Sequence, residues 1–233
     1  MIAGGARTMF FIFDYNPYIA IIADIKGSKS IKNRDLVQEK LKETLVQVNK
    51  KYAMDIASKF TITLGDEFQG LLLNGSNTMR ILSDIEQNMY PVQLRFGLGI
   101  GQITTNINPE MAIGADGPSY YRARAAMQYL KENENKRQVA VSDTRFEVEC
   151  ENQGTITLIN SILSLLTIIK TSWSDRQREV IWDMLKTQDS QVNVAKRFRI
   201  QQPTVQKILA SGRYYAYKEA LDIIDNALEE IRR

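Results

Sequence analysis

The chain has no histidine and only one cysteine, Cys150, among 233 residues. Without imidazole, Ser-His-Asp and Cys-His catalysis, His-ligated zinc and imidazole proton shuttling are excluded. A lone thiol makes neither an intramolecular disulfide nor a Cys-rich zinc site, which fits a reducing, cytoplasmic setting. Any metal must then rest on oxygen ligands, which points to Mg²⁺ or a similar hard cation such as Mn²⁺. Net charge is equally sparse: 30 Lys+Arg against 27 Asp+Glu leave +3, so nucleic-acid binding requires a local patch. Long apolar runs are missing too. Asp14 stops the run Met9–Phe13, short of the ~7–15 apolar residues of a signal peptide. Ile156–Ile169 carries Asn160, Ser161, Ser164 and Thr167 and falls below the ~20 residues of a spanning helix. No export signal and no membrane contact are therefore expected. Residues 1–15 read as an extension ahead of the fold, with no function assigned.

What is present is ordinary globular composition, 44% hydrophobic and 24% charged, enough for one core or a medium domain plus a small one. Tyr18–Asp24 is a short unbroken apolar run ending in a carboxylate, the pattern of a buried strand. Asn33–Tyr52 places Val37, Leu41, Leu45, Val48 and Tyr52 on one helical face. Phe60–Leu64 and Phe68–Leu73 read as a hairpin with Gly65-Asp66-Glu67 at its turn. A helix is expected over Ser76–Met89, a glycine-bearing strand over Leu94–Ile103, a helix through Tyr120, Ala123, Met127 and Leu130, and a strand over Gln138–Ser142. This β-α-β-β-α-β order predicts an α+β, ferredoxin-like palm domain over residues 16–150, with its helices on one face of a mostly antiparallel sheet. Residues 155–233 read as helical throughout.

Asp24 closes the first strand and Asp66 sits in the hairpin turn, and split βαβ topology makes those elements neighbours. Two unpaired carboxylates would repel, and a divalent cation between them resolves this. Gly27-Ser28, flanked by Lys26 and Lys29, offers backbone N–H groups for phosphate. Glu67 is a further candidate, as third ligand or general base. The plain alternative is that Asp24 caps a strand and Gly65-Asp66-Glu67 is turn chemistry.

These residues carry a resemblance. Ala23-Asp24-Ile25-Lys26-Gly27-Ser28 resembles the first metal-binding loop of class III nucleotidyl cyclases, and Leu64-Gly65-Asp66-Glu67-Phe68 resembles their second. The latter is also similar to the diguanylate cyclase signature, with Leu64 where glycine is usual. Arg95-Phe96-Gly97-Leu98-Gly99-Ile100-Gly101 resembles the glycine-rich strand that follows. Over nearly its whole length the chain is most similar to the SatD family, through YIAIIADIKGS, TLGDEFQGLL, RFGLGIG and GADGPSYYRARAA. That resemblance implies a nucleotidyl-cyclase-like domain joined to a helix-turn-helix. It implies Asp24, Asp66 and the Ile25 carbonyl as metal ligands, and the backbone after Asp24 as the phosphate cradle. In residues 114–124 it implies an Asn for ribose and an Arg for triphosphate. Tyr121 stands near the first, and Arg122 and Arg124 near the second, although a solvated helix face explains the arginines as well. Ile62 replaces the purine-reading Lys.

Ser174-Asp175-Arg176-Gln177 reads as a capping box opening a helix with Val180, Ile181, Met184 and Leu185 on its core face. A second helix over about Ser190–Phe198 and a third from about Gln202, with Pro203 in its first turn, complete a helix-turn-helix. Gln201, Gln202, Thr204, Gln206 and Lys207 would then face the major groove, with Lys196, Arg197, Arg199 and Arg213 on phosphates. A three-helix protein-interaction domain has the same packing. Tyr217, Leu221, Ile224, Leu228 and Ile231 form a heptad seam that either pairs two chains or packs onto its own helices. A homodimer is expected. Two functions follow. One is a nucleotide-sensing regulator that binds double-stranded DNA. The other is a metal-dependent enzyme acting on a nucleoside triphosphate, as cyclase, nucleotidyltransferase or GTP hydrolase.

Overall fold

The computed structural model describes residues 10–134, 136 and 141–232. Five strands form one sheet: β1 (Tyr18–Ile25), β2 (Ile56–Leu64), β3 (Glu67–Leu72), β4 (Leu94–Gly101) and β5 (Thr144–Glu147). Their order is β2-β3-β1-β4-β5, antiparallel except for the parallel β4–β5 pair. The palm helices are α1 (Arg34–Lys51), α2 (Thr78–Met89) and α3 (Pro118–Asn133). The expected strand over Gln138–Ser142 lies mostly outside the described residues. Its described end, Val141–Ser142, is not strand, and β5 begins at Thr144.

β1 is buried on both faces, which is why its sequence shows no polar alternation. Ile19, Ile21 and Ala23 join the core under α1 and α2, whereas Ala20 and Ile22 meet Tyr120, Ala123 and Met127 of α3. The helices thus lie on both faces, not on one as expected, because β4 returns through α3 to a parallel β5 and that crossover covers the second face. The glycines of β4 make this possible. A Cβ on Gly97 would stand 2.6 Å from the Ala123 carbonyl oxygen. Ser119 pins the start of α3, accepting from Ala20 N at 2.9 Å and donating to the Gly99 carbonyl at 2.8 Å.

Five helices follow: α4 (Gln153–Thr171), α5 (Asp175–Thr187), α6 (Gln191–Phe198), α7 (Gln202–Ser211) and α8 (Tyr214–Leu228). Ser174 and Gln177 form the expected capping box, and Ser190 caps α6. One apolar cluster runs unbroken from Ile21 and Ile81 through Leu163 and Trp173 to Val205 and Leu228, so both halves share a core. The heptad seam resolves inward: Tyr217, Ile224, Leu228 and Ile231 are all buried within the chain. Residues 10–15 are tied down. Phe11 is buried, Phe10 N donates to Glu230 Oε2 at 2.5 Å, and Ile12 N donates to Asn152 Oδ1 at 2.9 Å. Among the described residues α4 is the one helix long and apolar enough to cross a membrane, with a third of it buried in the fold. It spans 19 residues, longer than the run read from sequence, because Gln153, Gly154 and Thr155 extend it without breaking the backbone ladder.

Candidate functional site

The register of the sheet decides which acids meet. Across β3–β1–β4, Glu67 pairs with Asp24 and Asp24 pairs with Arg95. Residues paired across strands point to the same face, so these three form one row on the side that α3 covers. α3 runs from the Gly99–Gly101 end of β4 toward this row and delivers Lys131 from its last turn. Lys131 Nζ lies 2.8 Å from Asp24 Oδ2 and 4.0 Å from Glu67 Oε2. Arg95 Nε lies 3.3 Å from Asp24 Oδ1, and Arg95 Nη2 lies 3.5 Å from Glu134 Oε2. Lys26 completes the ring at 3.8 Å from Glu134. Three carboxylates and three side-chain cations therefore balance one another at this sheet end.

Asp24 is 6% exposed, and its Oδ1 and Arg95 Nε are buried with no hydrogen-bond partner among the described residues. The pair is close in charge but misaligned, so Asp24 is neutralised without being fully hydrogen-bonded. Beside it the chain turns at Gly27, whose φ of +62° suits glycine. Ser30 N and Oγ both donate back to the Gly27 carbonyl, at 2.9 and 2.7 Å. Lys26 N is held by the Gln93 carbonyl at 2.8 Å. Lys29 stays exposed, and Ser28 half-exposed, at the mouth.

Asp66 does not join the row. Its carbonyl accepts from Ile25 N at 3.2 Å, which fixes the turn against β1, while Glu67, the lesser candidate, takes the place opposite Asp24. This bears on Mg²⁺ or Mn²⁺. Among the described residues no three acidic, His or Cys side chains converge, and the Lys131 ammonium stands between Asp24 and Glu67. Within the chain, side-chain cations neutralise Asp24.

Tyr121 and Arg122 lie on the far part of α3, ten and nine residues before Lys131 or about 14–15 Å, and do not reach the aspartates within one chain. Tyr121 Oη donates to Asp116 Oδ2 at 2.8 Å. Arg122 donates to the Ile100 carbonyl at 3.2 Å and pairs with Glu149 at 3.0 Å. Arg124 is exposed, two turns before Lys131. Arg95, Lys131 and Glu134 were missed as site residues. Lys131 had a signal, since it continues the sheet-facing stripe Tyr120–Ala123–Met127 by one further turn.

In the C-terminal helices Gln201, Gln202, Thr204, Gln206 and Lys207 are all exposed, while Val205 and Leu209 are buried beneath them. Lys196, Arg199 and Arg213 are exposed as well. Arg197, also exposed, pairs with Asp183 at 2.5 Å and Asp189 at 2.6 Å. Arg199 occupies the left-handed cap after α6, φ +52°, where a turn glycine is common.

The class is thus a mixed α+β protein, a five-stranded sheet followed by a helical half, with a charged site at one end of the sheet. A family model described as the SatD family matches residues 18–221, and the chain belongs to that family. No curated protein matches the sequence. Solved structures with local likeness include a bacterial light-regulated adenylyl cyclase, at 13% identity and TM-score 0.40, covering 62% of this chain and 79% of that one. The guanylyl cyclase Cya2 aligns at 10% identity and TM-score 0.37, covering 60% and 78%. A regulator of polyketide synthase expression from Bifidobacterium adolescentis aligns at 12% identity and TM-score 0.27, covering 90% and 85%. At identities and TM-scores this low they add nothing to what the site itself displays.

Proposed function

We propose that the chain is a regulator whose sheet end binds a nucleotide through side-chain cations and whose α5–α7 helices bind double-stranded DNA. The observation that carries the reading is α7 itself. It follows α6 after the short turn 199–201, buries Val205 and Leu209, and turns Gln202, Thr204, Gln206 and Lys207 outward. Amide and hydroxyl side chains at the start of such a helix suit base edges, and Lys196, Arg199, Lys207 and Arg213 suit the flanking phosphates. At the sheet end, Lys131 and Arg95 hold Asp24 loosely enough to exchange it for phosphate oxygens, with the Gly27 turn and Lys29 alongside.

The test is duplex binding by the full chain, first to a random pool and then to the selected sequence. Gln206→Ala is expected to relax base preference at one position, by about 1–3 kcal/mol. Lys207→Ala is expected to weaken all sequences alike and reduce the salt slope by about 1. A protein showing no salt-dependent retention on any duplex overturns the DNA half of the reading.

Asp66 favours a second reading. It is half-exposed in the turn that contacts β1 beside Asp24, as a catalytic carboxylate of a metal-dependent enzyme on a nucleoside triphosphate would be. Incubation with ATP or GTP and Mg²⁺ or Mn²⁺, followed by product mass, decides it. Product that disappears in Asp66→Asn establishes the enzyme, and no product under any condition rejects it.

A further inference from the structure

A cleft of about 400 Å³ lies between the palm and the helical half, walled by α2 and the end of α1 on one side and by α8 and the end of α5 on the other. A volume of this order suits one small organic molecule. α2 lines it with Arg80, Ser83, Asp84 and Gln87, and α8 with Lys218, Leu221, Asp222 and Asp225. Both sets have the i, i+3, i+4, i+7 spacing of a single helical face. Other positions serve the core: Ile81, Leu82 and Ile85 on α2, and Ile224, Ala227 and Leu228 on α8.

The charges in these walls fall into two sets. Asp84 is held by Lys51 at 2.5 Å and by the Tyr52 hydroxyl at 2.8 Å, and Asp222 by Lys218 one turn before it. Arg80 and Asp225, on opposite walls, are unmatched. Among the described residues Arg80 enters no hydrogen bond or ion pair, and Asp225 Oδ1 is buried with no partner. Exposed Lys186 adds a second cation on the α5 side. Burial pushes the Asp225 carboxyl up, and the Arg80 guanidinium pulls part of that rise back, so the two groups are near neighbours without being bonded. A half-buried, unbonded carboxylate costs folding stability, and ligand sites are where such groups are retained.

A cation and a carboxylate that face each other unjoined suit a ligand carrying the complementary pair: a carboxylate for Arg80 and an ammonium for Asp225. A phosphate dianion suits the cleft less, because Asp84, Asp222 and Asp225 in the same walls repel it. The half-buried Met79, Leu185 and Leu221 add an apolar surface continuous with the core, which takes an aliphatic or aromatic side chain.

We propose that this cleft binds an apolar α-amino acid, its carboxylate on Arg80, its ammonium on Asp225 and its side chain on Met79, Leu185 and Leu221. The site is independent of the sheet end. Because both halves supply its walls, its ligand fastens them together.

The experiment is thermal melting of the full chain with L-leucine, L-methionine or L-phenylalanine in turn, then calorimetric titration of whichever shifts the curve. AMP and inorganic phosphate run beside them. At least one amino acid is expected to raise the melting temperature, since a ligand that binds only the folded chain stabilises it. Asp225→Asn and Arg80→Ala are each expected to weaken that amino acid by at least about tenfold. Glu219→Gln, exposed on α8 outside the cleft, is expected to leave it unchanged. Analogues separate the two ends: the acid lacking the α-ammonium is expected to bind Asp225→Asn as it binds the wild type, and the amine lacking the carboxylate to bind Arg80→Ala as it binds the wild type. No shift with any of the three amino acids, a shift that either cleft variant leaves intact, or stabilisation by AMP or phosphate that Arg80→Ala removes would each overturn the proposal.

Discussion

Two clusters of mixed charge sit in this molecule, and they are built for different ends. Where α4, α2 and the start of β5 meet, buried Lys170 lies 2.6 Å from both Glu86 and Asp143, which are half-buried. Burial lowers the lysine's proton affinity, but Asp143 and Glu86 outweigh it, and the net shift holds the ammonium firmly charged. At the sheet end, distances spread from 2.8 to 4.0 Å and the Asp24–Arg95 contact misses hydrogen-bond geometry. The first cluster ties the helical half to the palm. The second is neutral but under-bonded, which is what a site that exchanges partners requires. Tight buried pairs specify structure, and looser pairs at the edge of a sheet are left available for a ligand.

The same substitution in each cluster breaks the comparison if it is wrong. Lys170→Met leaves two half-buried carboxylates without their cation and is expected to cost about 2–4 kcal/mol, read from the urea midpoint. A loss below about 1 kcal/mol would mean the buried cluster is not what joins the halves. Asp225 on α8 sharpens the contrast, since it is half-buried and its buried Oδ1 has no partner among the described residues. Burial raises its carboxyl from 3.8 to about 6. The folded state therefore holds this proton more tightly than the unfolded chain. The stability it contributes is complete below pH 3.8 and lost as pH rises through about 6. Asp225→Asn is expected to flatten that decline and to gain up to about 3 kcal/mol at neutral pH. Parallel melting curves for variant and wild type across pH 4–7 would contradict it. Lys131→Met, at the sheet end, is expected to change stability by only about 0.5 kcal/mol, because that side chain is 43% exposed. A large loss there would make Lys131 structural and merge the two clusters in kind.

Much of this was legible beforehand. Apolar spacing alone marked β1, α1 and α2, and cap chemistry at Ser174 and Pro203 marked α5 and α7, because those signals are local. The site was harder. Which of Asp66 and Glu67 faces Asp24 depends on one residue of register, and β2–β3 is irregular between Ile62 and Leu64. Sequence put Asp66 first on motif grounds and Glu67 second, and the ladder pairs Glu67 with Asp24. The second helical face was hinted at by the unbroken run of β1 and the glycines of β4, but only the packing of α3 shows what those glycines admit. Arg95 and Lys131 were overlooked because a cation in a strand and a cation at a helix end each look ordinary until topology brings them to the same carboxylate. The α8 seam, read as open to either use, turns inward because α2 and α4 supply its apolar partners.

The central claim is that the sheet end binds nucleotide phosphate through Lys131 and Arg95. Calorimetric titration of ATP and GTP into the wild type and Lys131→Met, each with Mg²⁺ and with chelator, tests it most directly. The account predicts saturable wild-type binding that persists in chelator and weakens at least tenfold in Lys131→Met. Binding that vanishes in chelator, or that Lys131→Met leaves unchanged, would contradict it.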